Sequence, residues 1–122
     1  MSKSVLIVDD SSSVRTVVGI ALRGAGYEVL EASDGADGLR KLDGRKVHLI
    51  ISDVNMPGMD GLTFLKEIKK SAALKFIPVM MLTTEAGADK MAIGKAEGAR
   101  AWMTKPFKPE QMLAAVQKLV LP

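Results

Sequence analysis

VLIVDD, residues 5–10, decides the fold class, because four consecutive apolar residues run directly into two aspartates. A strand with one face in water alternates apolar and polar residues, whereas a strand covered on both faces is apolar throughout. Two further largely apolar runs, at residues 47–52 and 79–83, have the same character. The three runs predict central strands of a sheet that is covered by helices on both sides.

Helical patterns lie between these runs. Apolar side chains recur with the i, i+3, i+4, i+7, i+8 spacing of a core-facing helix in two stretches: Val14, Val17, Val18, Ala21 and Leu22, and Met112, Ala115, Val116, Leu119 and Val120. Shorter apolar patterns, Ala36–Leu42 and Leu62–Ile68, indicate two more helices. The stretch after Thr84 is the weakest helix, with Gly87, Gly94 and a thin stripe of Ala88, Met91 and Ala92, and we expect it to be the most mobile element.

Two more short runs, at residues 28–32 and 101–104, complete an alternation of five strands with five helices. A (βα)5 pattern requires a parallel sheet with right-handed crossovers, which is a doubly wound α/β fold. In such sheets, binding and chemistry gather at the carboxyl ends of the strands.

The amino-acid composition limits the functions that the chain can have. The 122 residues suffice for one domain, and we expect residues 1–122 to form it. The chain has no cysteine, which excludes disulfides and thiolate zinc sites and fits a reducing cytoplasm. With a single histidine, neither a histidine-based zinc site nor a Ser-His-Asp triad has obvious parts. The apolar runs are too short for a membrane span. The net charge of +3 comes from 17 basic and 14 acidic residues with only five aromatics, which does not favour nucleic-acid binding.

Polar and charged residues stand at four of the predicted carboxyl ends. Asp9 and Asp10 follow the first strand, Asp53 the third, Thr83 the fourth and Lys105 the fifth. Taken singly, each aspartate has an ordinary explanation as a helix N-cap or turn residue. That explanation is not needed here, because other residues offer the caps: Ser11 and Ser12 for the first helix, and Asp60 for the third.

If the first and third strands are neighbours, three carboxylates share one edge of the sheet. Two like charges 4 Å apart repel by about 4 kcal/mol at an effective dielectric constant near 20, so the cluster needs a cation. Oxygen ligands without histidine or cysteine favour Mg²⁺. Three carboxylates, one divalent cation and Lys105 sum to zero charge, and a carboxylate such as Asp53 can act as a nucleophile that forms an acyl phosphate.

Four motifs, at residues 8–11, 52–61, 82–85 and 105–107, resemble receiver domains of two-component response regulators. The resemblance covers the whole chain and is closest to the stand-alone chemotaxis regulators of that family. It implies a flavodoxin-like sheet with strand order 2-1-3-4-5. It also implies a single receiver domain, residues 1–122, without an output domain.

The resemblance assigns roles to the residues of the predicted site. Asp53 is the phosphoacceptor, and Asp9, Asp10, Asp53 and the backbone carbonyl of Asn55 bind Mg²⁺. Thr83 carries the switch hydroxyl, and Lys105 pairs with Asp53 or with the phosphoryl group. The Lys105–Pro106 bond is expected to be cis.

Two positions depart from the family pattern. The switch aromatic, usually Tyr or Phe, is Trp102 here, and its bulk puts the coupling to Thr83 in question. Thr84 stands where the chemotaxis regulators have a smaller residue, which narrows access to the phosphoryl group. Asn55 and Glu85 match those regulators and favour a short-lived phosphoryl state.

The resemblance implies a phosphorylation-activated switch and not an enzyme with an external substrate. A histidine kinase supplies the phosphoryl group, and the output is contact with a downstream protein, such as a flagellar motor or phosphorelay component. A monomer is expected, because the predicted apolar stripes are all used by the sheet.

Three alternative functions are weighed against the switch. A Mg²⁺-dependent phosphatase with an aspartate nucleophile usually carries a second Asp two residues further on, where this chain has Asn55. A flavodoxin-like cofactor binder would use residues 11–13 as its phosphate loop, but Asp9 and Asp10 would repel the phosphate. A phosphorylation-independent binding module is the third alternative.

Overall fold

The computed structural model describes residues 3–83 and 88–120, the side chains of residues 88–91 excepted. The strands and helices alternate along the chain: β1 Ser4–Val8, α1 Ser12–Gly24, β2 Glu28–Ala32, α2 Gly35–Leu42, β3 Leu49–Asp53, α3 Gly61–Lys70, β4 Val79–Thr83, α4 Ala88–Ala96, β5 Ala101–Thr104 and α5 Pro109–Leu119. The predicted (βα)5 alternation is confirmed. None of the helices within these residues is long and apolar enough to cross a membrane.

The five strands form one parallel sheet in the order β2-β1-β3-β4-β5, as predicted. β1 lies next to β3, so that Val8 pairs with Ser52 and the residues that follow both strands meet at one edge. β3 and β4 are buried along their whole length, as is β1 apart from its first residue. Two apolar clusters, one on each face of the sheet, make the core.

Side-chain caps begin the helices where the sequence offers them. The Ser11 hydroxyl accepts the backbone N–H of Val14 at 3.3 Å, and the Asp60 carboxylate accepts that of Thr63 at 2.8 Å. Both caps were predicted, and such a cap is worth about 1 kcal/mol. Since these residues cap α1 and α3, Asp9, Asp10 and Asp53 are available for another role.

Three details of the predicted elements are wrong. Val17 was expected to face the core, but it is 53% exposed, because α1 turns Val18, Gly19 and Leu22 toward the sheet. Ala36 is also exposed, because α2 packs through Gly35 and Gly38 together with Leu42. β3 begins at Leu49, two residues after the predicted start, and includes Asp53 as its last residue. Thr84 and Gly87 lie outside the described residues, and the mobility of the weak fourth helix stays a prediction.

Gly61 sets the distance between α3 and the end of β3. Its N–H donates to the carbonyl of Val54 at 2.8 Å. A methyl group at this position would lie 2.0 Å from the carbonyl oxygen of Asp53 and 2.8 Å from the Cα of Val54. Both obstacles are backbone atoms that no rotamer change can move aside, so only glycine lets α3 approach the strand end that carries Asp53.

We predict that Gly61→Ala destabilises the fold by about 3 kcal/mol or more, since relief of the overlap requires α3 to move. Thermal unfolding by circular dichroism measures the effect. Gly24→Ala is the matched control, because nothing lies within 4 Å of its added methyl group in the last turn of α1. An unfolding midpoint for Gly61→Ala that equals that of Gly24→Ala would contradict the close approach.

Candidate functional site

Three carboxylates meet at the carboxyl edge of the sheet. Asp9 and Asp10 directly follow β1, and Asp53 is the last residue of β3. One carboxylate oxygen from each lies within 4.8 Å of the others. Asp9 and Asp53 are buried, whereas Asp10 is exposed. The predicted cluster is therefore formed, with one ligand open to solvent.

Lys105 supplies a cation to this cluster from the loop after β5. Its Nζ donates to Asp9 Oδ2 at 2.8 Å and lies 3.5 Å from Asp53 Oδ2. The sequence predicted a pairing with Asp53 or a phosphoryl group, and in this structure Asp9 is the nearer partner. The backbone N–H of Lys105 donates to the carbonyl of Thr83, and the Lys105–Pro106 peptide bond is cis, as expected.

Both the carboxylate and the backbone carbonyl of Asp9 accept hydrogen bonds. Its Oδ1 accepts the backbone N–H of Ser11 at 2.9 Å, and its backbone carbonyl accepts Nη1 of Arg15 at 2.6 Å. Arg15 also forms an ion pair with Glu31 on β2 at 3.4 Å. The role of Arg15 was not predicted, because a single arginine in the first turns of a helix carries no motif. Its contacts fix the loop that presents Asp9 and Asp10.

Asp53 is held less tightly than Asp9. Its Oδ1 accepts the backbone N–H of Asn55 at 3.4 Å, which is long for a hydrogen bond. Burial raises the pKa of Asp53, and the charge of Asp9 raises it further, while Lys105 and the Asn55 N–H act in the opposite direction. The ionised carboxylate of Asp53 is thus a charge that the fold stabilises incompletely.

The two predicted switch residues occupy neighbouring strands. Thr83 is the last residue of β4 and is fully buried, one position beyond the Leu82 that pairs with Asp53. Trp102 on β5 pairs with Met81 and packs against the core. Within the described part of the chain, its buried indole Nε1 has no hydrogen-bond partner. Thr84 and Glu85 are not among the described residues.

Trp102 owes its position to a glycine on α4. A methyl group on Gly94 would lie 2.3 Å from the indole Cζ3, so the ring sits directly against the backbone of the helix. Near this edge, Met56 is buried in the core, and Met59 is half-buried and packs against the same cluster.

The donor set fits a hard divalent cation. The three carboxylates offer oxygen ligands only, and His48, the sole histidine of the chain, lies before β3 at the opposite edge of the sheet. Mg²⁺ is bound by carboxylate and carbonyl oxygens and keeps several waters, which suits a cluster with one exposed member. The arrangement can neutralise a cation and present a buried carboxylate beside an ammonium group.

A 2-1-3-4-5 parallel sheet with an acidic cluster and a lysine at its carboxyl edge defines a class of small α/β signalling domains. The chain belongs to the response regulator receiver domain family, whose model matches residues 5–117. It is a signalling domain of two-component systems, and such domains generally bind Mg²⁺ and partner with histidine kinases and downstream targets.

Relatives and solved structures agree with this assignment. The chain is 38% identical over 107 residues to chemotaxis protein CheY1 of Helicobacter pylori, with 86% of each covered. It is 35% identical over 120 residues to the alkaline phosphatase synthesis transcriptional regulatory protein PhoP of Bacillus subtilis, covering 98% of this chain and 49% of that protein. The chain thus spans about half the length of this relative. The structure of Vibrio cholerae chemotaxis protein CheY4 is 45% identical, with a TM-score of 0.93, and 98% of this chain and 99% of that chain are covered.

We predict that Asp53→Asn raises the thermal unfolding midpoint at neutral pH in the presence of a chelator. Because the folded state raises the pKa of Asp53, its ionised form costs stability above its ordinary pKa, and this cost is relieved as pH falls. Each kcal/mol regained corresponds to about 4 °C in a domain of this size. Calorimetry in chelator measures the gain, and it should shrink at acidic pH. A midpoint equal to or below that of the unaltered protein at neutral pH would show that Lys105 compensates the charge fully.

We predict that Gly94→Ala displaces the indole of Trp102 and shifts its fluorescence emission. Trp102 is the only tryptophan, so emission reports on this ring alone. The added methyl group overlaps the ring, and the expected outcome is a red shift as the indole moves toward water, with a loss of about 1–3 kcal/mol in stability. Gly24→Ala is again the control. An emission spectrum unchanged in Gly94→Ala would mean that α4 moves and the ring stays.

Proposed function

We propose that Asp53 accepts a phosphoryl group from a histidine kinase and that the phosphorylated domain signals through a protein–protein surface. The observation that carries this proposal is the buried Asp53 carboxylate, which shares the Lys105 ammonium with Asp9 at the carboxyl edge of a receiver fold. Burial raises the pKa of Asp53, so its ionised carboxylate is poorly stabilised by the fold. A bound cation, or a reaction that redistributes its negative charge, would stabilise this group.

The transfer needs no proton from Asp53. A carboxylate oxygen of ionised Asp53 attacks the phosphorus of the kinase phosphohistidine, and a P–O bond forms as the P–N bond breaks. The leaving imidazole nitrogen keeps the electron pair and takes a proton from solvent. The position of Lys105, 3.5 Å from Asp53 Oδ2, supports its pairing with a phosphoryl oxygen once Asp53 carries the acyl phosphate.

The metal proposal follows the donor set. Asp9, Asp10 and Asp53, with the backbone carbonyl of Asn55, would hold Mg²⁺, which when bound supplies positive charge for the phosphoryl oxygens. The protein's own part is to keep the ligands together against their repulsion. Arg15 and the Ser11 N–H fix the position of Asp9, and Lys105 reduces the net negative charge of the cluster.

Thr83 and Trp102 are the proposed switch residues. Thr83 ends the strand next to β3, and this position supports a hydrogen bond from its hydroxyl to a phosphoryl oxygen on Asp53. The output surface is formed by α4, β5 and α5, and Trp102 lies on the strand between the two helices. Because the indole rests directly on Gly94, movement of either one requires the other to move.

The kinase is proposed to approach the site over a different surface from the one that binds the downstream target. An apolar cavity of about 440 Å³ lies beside Lys105, between α1 and the loop after β5, with Val17 and Phe107 in its wall. Such a cavity next to the site supports the approach of a phosphodonor protein along α1. This use also gives a physical reason for the exposure of Val17.

A chemotaxis role is the favoured setting. The likeness to CheY1 and CheY4, both chemotaxis proteins, at 38% and 45% identity, supports it. The downstream partner would be a flagellar motor or phosphorelay component. A single receiver domain over residues 1–122, a monomeric state, a cytoplasmic location and the absence of nucleic-acid binding remain predictions of the sequence.

We predict that the protein gains the mass of one phosphoryl group when it is incubated with Mg²⁺ and acetyl phosphate. Intact mass spectrometry after rapid quenching measures the adduct. Asp53→Asn and a chelator should each abolish it, because the first removes the nucleophile and the second removes the cation. Lys105→Met is expected to lower the rate of adduct formation by about 10²-fold, as for the loss of one group that stabilises a transition state.

Asp43→Asn is the matched control, since Asp43 is an exposed aspartate that follows α2. It should label like the unaltered protein. An adduct that persists in Asp53→Asn would place the phosphoryl group elsewhere. Failure of the unaltered protein to label under any quenching regime would favour a phosphorylation-independent binding module.

A further inference from the structure

A second pocket lies at the opposite edge of the sheet, where the strands begin. It has a volume of about 230 Å³ and is lined by His48, Phe76, Pro78, Arg100, Leu119 and Val120. It is separated from Asp53 by the length of a five-residue strand, about 15 Å. None of the motifs or switch residues described above takes part in it.

The apolar part of the pocket includes an aromatic ring in water. Phe76 is 80% exposed, and the Nζ of Lys75 lies 5.1 Å from its ring centroid. Leu119 and Val120, at the end of α5, form the facing wall. A phenyl ring this exposed is removed from water only when a partner covers it. Burial of its apolar area would then stabilise the complex.

The polar part of the pocket consists of hydrogen-bond donors. Nδ1 of His48 accepts the backbone N–H of Ser4 at 3.0 Å, so the neutral ring carries its proton on Nε2. Burial and the nearby Lys3 and Lys46 lower the pKa of His48, which keeps the ring neutral at physiological pH. Arg100 is exposed and is the only formally charged residue in the lining.

More cations lie around this edge of the sheet than the dipoles of the helix ends account for. Cations in the last turn of a helix complement its dipole, which accounts for Lys69 and Lys70 on α3 and for Lys118 on α5. Arg100 lies in no helix, because it directly precedes β5. Burial lowers the pKa of Lys69, and the nearby charge of Arg100 lowers it further. Two cations held this close indicate a surface that is complementary to an anion.

The end of α5 distinguishes a peptide from a simple anion. The last carbonyl groups of a helix have no partner within the helix and accept hydrogen bonds from outside it. Among the described residues, no backbone donor is bonded to the carbonyls of Leu119 and Val120, so they offer acceptors near Arg100 and His48. A bound inorganic anion can use only the donors, whereas a peptide has carboxylates for the donors and backbone N–H groups for the acceptors.

We propose that this pocket is a docking site for an acidic segment of a partner protein, in which a carboxylate side chain adjoins a large apolar side chain. The carboxylate pairs with Arg100, and the apolar side chain packs between Phe76 and the end of α5. The proposal does not depend on phosphorylation of Asp53, since the pocket uses none of that site.

The test is an NMR titration of the ¹⁵N-labelled full chain with the peptide acetyl-Asp-Leu-Asp-Phe-amide. The expected result is a saturable shift of the amide signals of His48, Phe76 and Leu119, with a dissociation constant of about 1 mM or tighter. Arg100→Gln should weaken binding about tenfold, as for a lost charge-assisted hydrogen bond. Phe76→Ser should weaken it by a comparable factor, and both exposed positions tolerate substitution.

Three controls separate a peptide site from general charge attraction, from anion binding and from self-association. Lys118→Gln, which removes a neighbouring exposed cation, should leave the affinity within twofold, and a loss as large as that of Arg100→Gln would reduce the effect to general charge attraction. Equal binding of acetyl-Asn-Leu-Asn-Phe-amide, or the same shifts with inorganic phosphate, would overturn the proposal. So would shifts of the same signals on dilution without peptide, because the occupant would then be a second copy of this chain.

Discussion

The repulsion between three carboxylates at one edge of the sheet is the constraint on which the site depends. Two like charges at 4 Å cost about 4 kcal/mol at an effective dielectric constant near 20, and burial adds to that cost for Asp9 and Asp53. The fold offsets this cost to a different extent for Asp9 and for Asp53. Asp9 receives the Ser11 N–H and the nearer contact of Lys105, whereas the Asn55 N–H and the Lys105 ammonium lie farther from the carboxylate of Asp53. The carboxylate with the weaker support is the one proposed to react.

The parallel sheet is what allows such crowding. Val8 pairs with Ser52, so the residues that follow β1 and those that close β3 are brought together by backbone register and not by their own attraction. The backbone also limits what can adjust, because Gly61 leaves no space between α3 and the carbonyl of Asp53. The free energy of core burial thus holds in place charges that would separate in a less rigid frame.

The sequence predicted the strand order, the caps at Ser11 and Asp60 and the meeting of Asp9, Asp10 and Asp53, because each follows from a local pattern or from the family motifs. It did not predict relations between distant side chains. The exposure of Val17, the preference of Lys105 for Asp9 and the contacts of Arg15 all depend on how helices turn on the sheet, which a periodic pattern fixes only to within a residue or so.

The two edges of the sheet carry different chemistry and can be used independently. The carboxyl edge gathers anions, and Trp102 on β5 packs directly against Gly94 of α4. The amino edge gathers donors and cations on backbone that is tied into the ladder: the backbone N–H of His48 donates to Ser4, and that of Arg100 donates to Val79. Coupling between the edges would need an element with two arrangements that spans them, and the fully buried β3 and β4 are poor candidates for one. A partner held at the amino edge would therefore determine where the domain is located, while in the proposed function the phosphorylation state of Asp53 would determine what its other face binds.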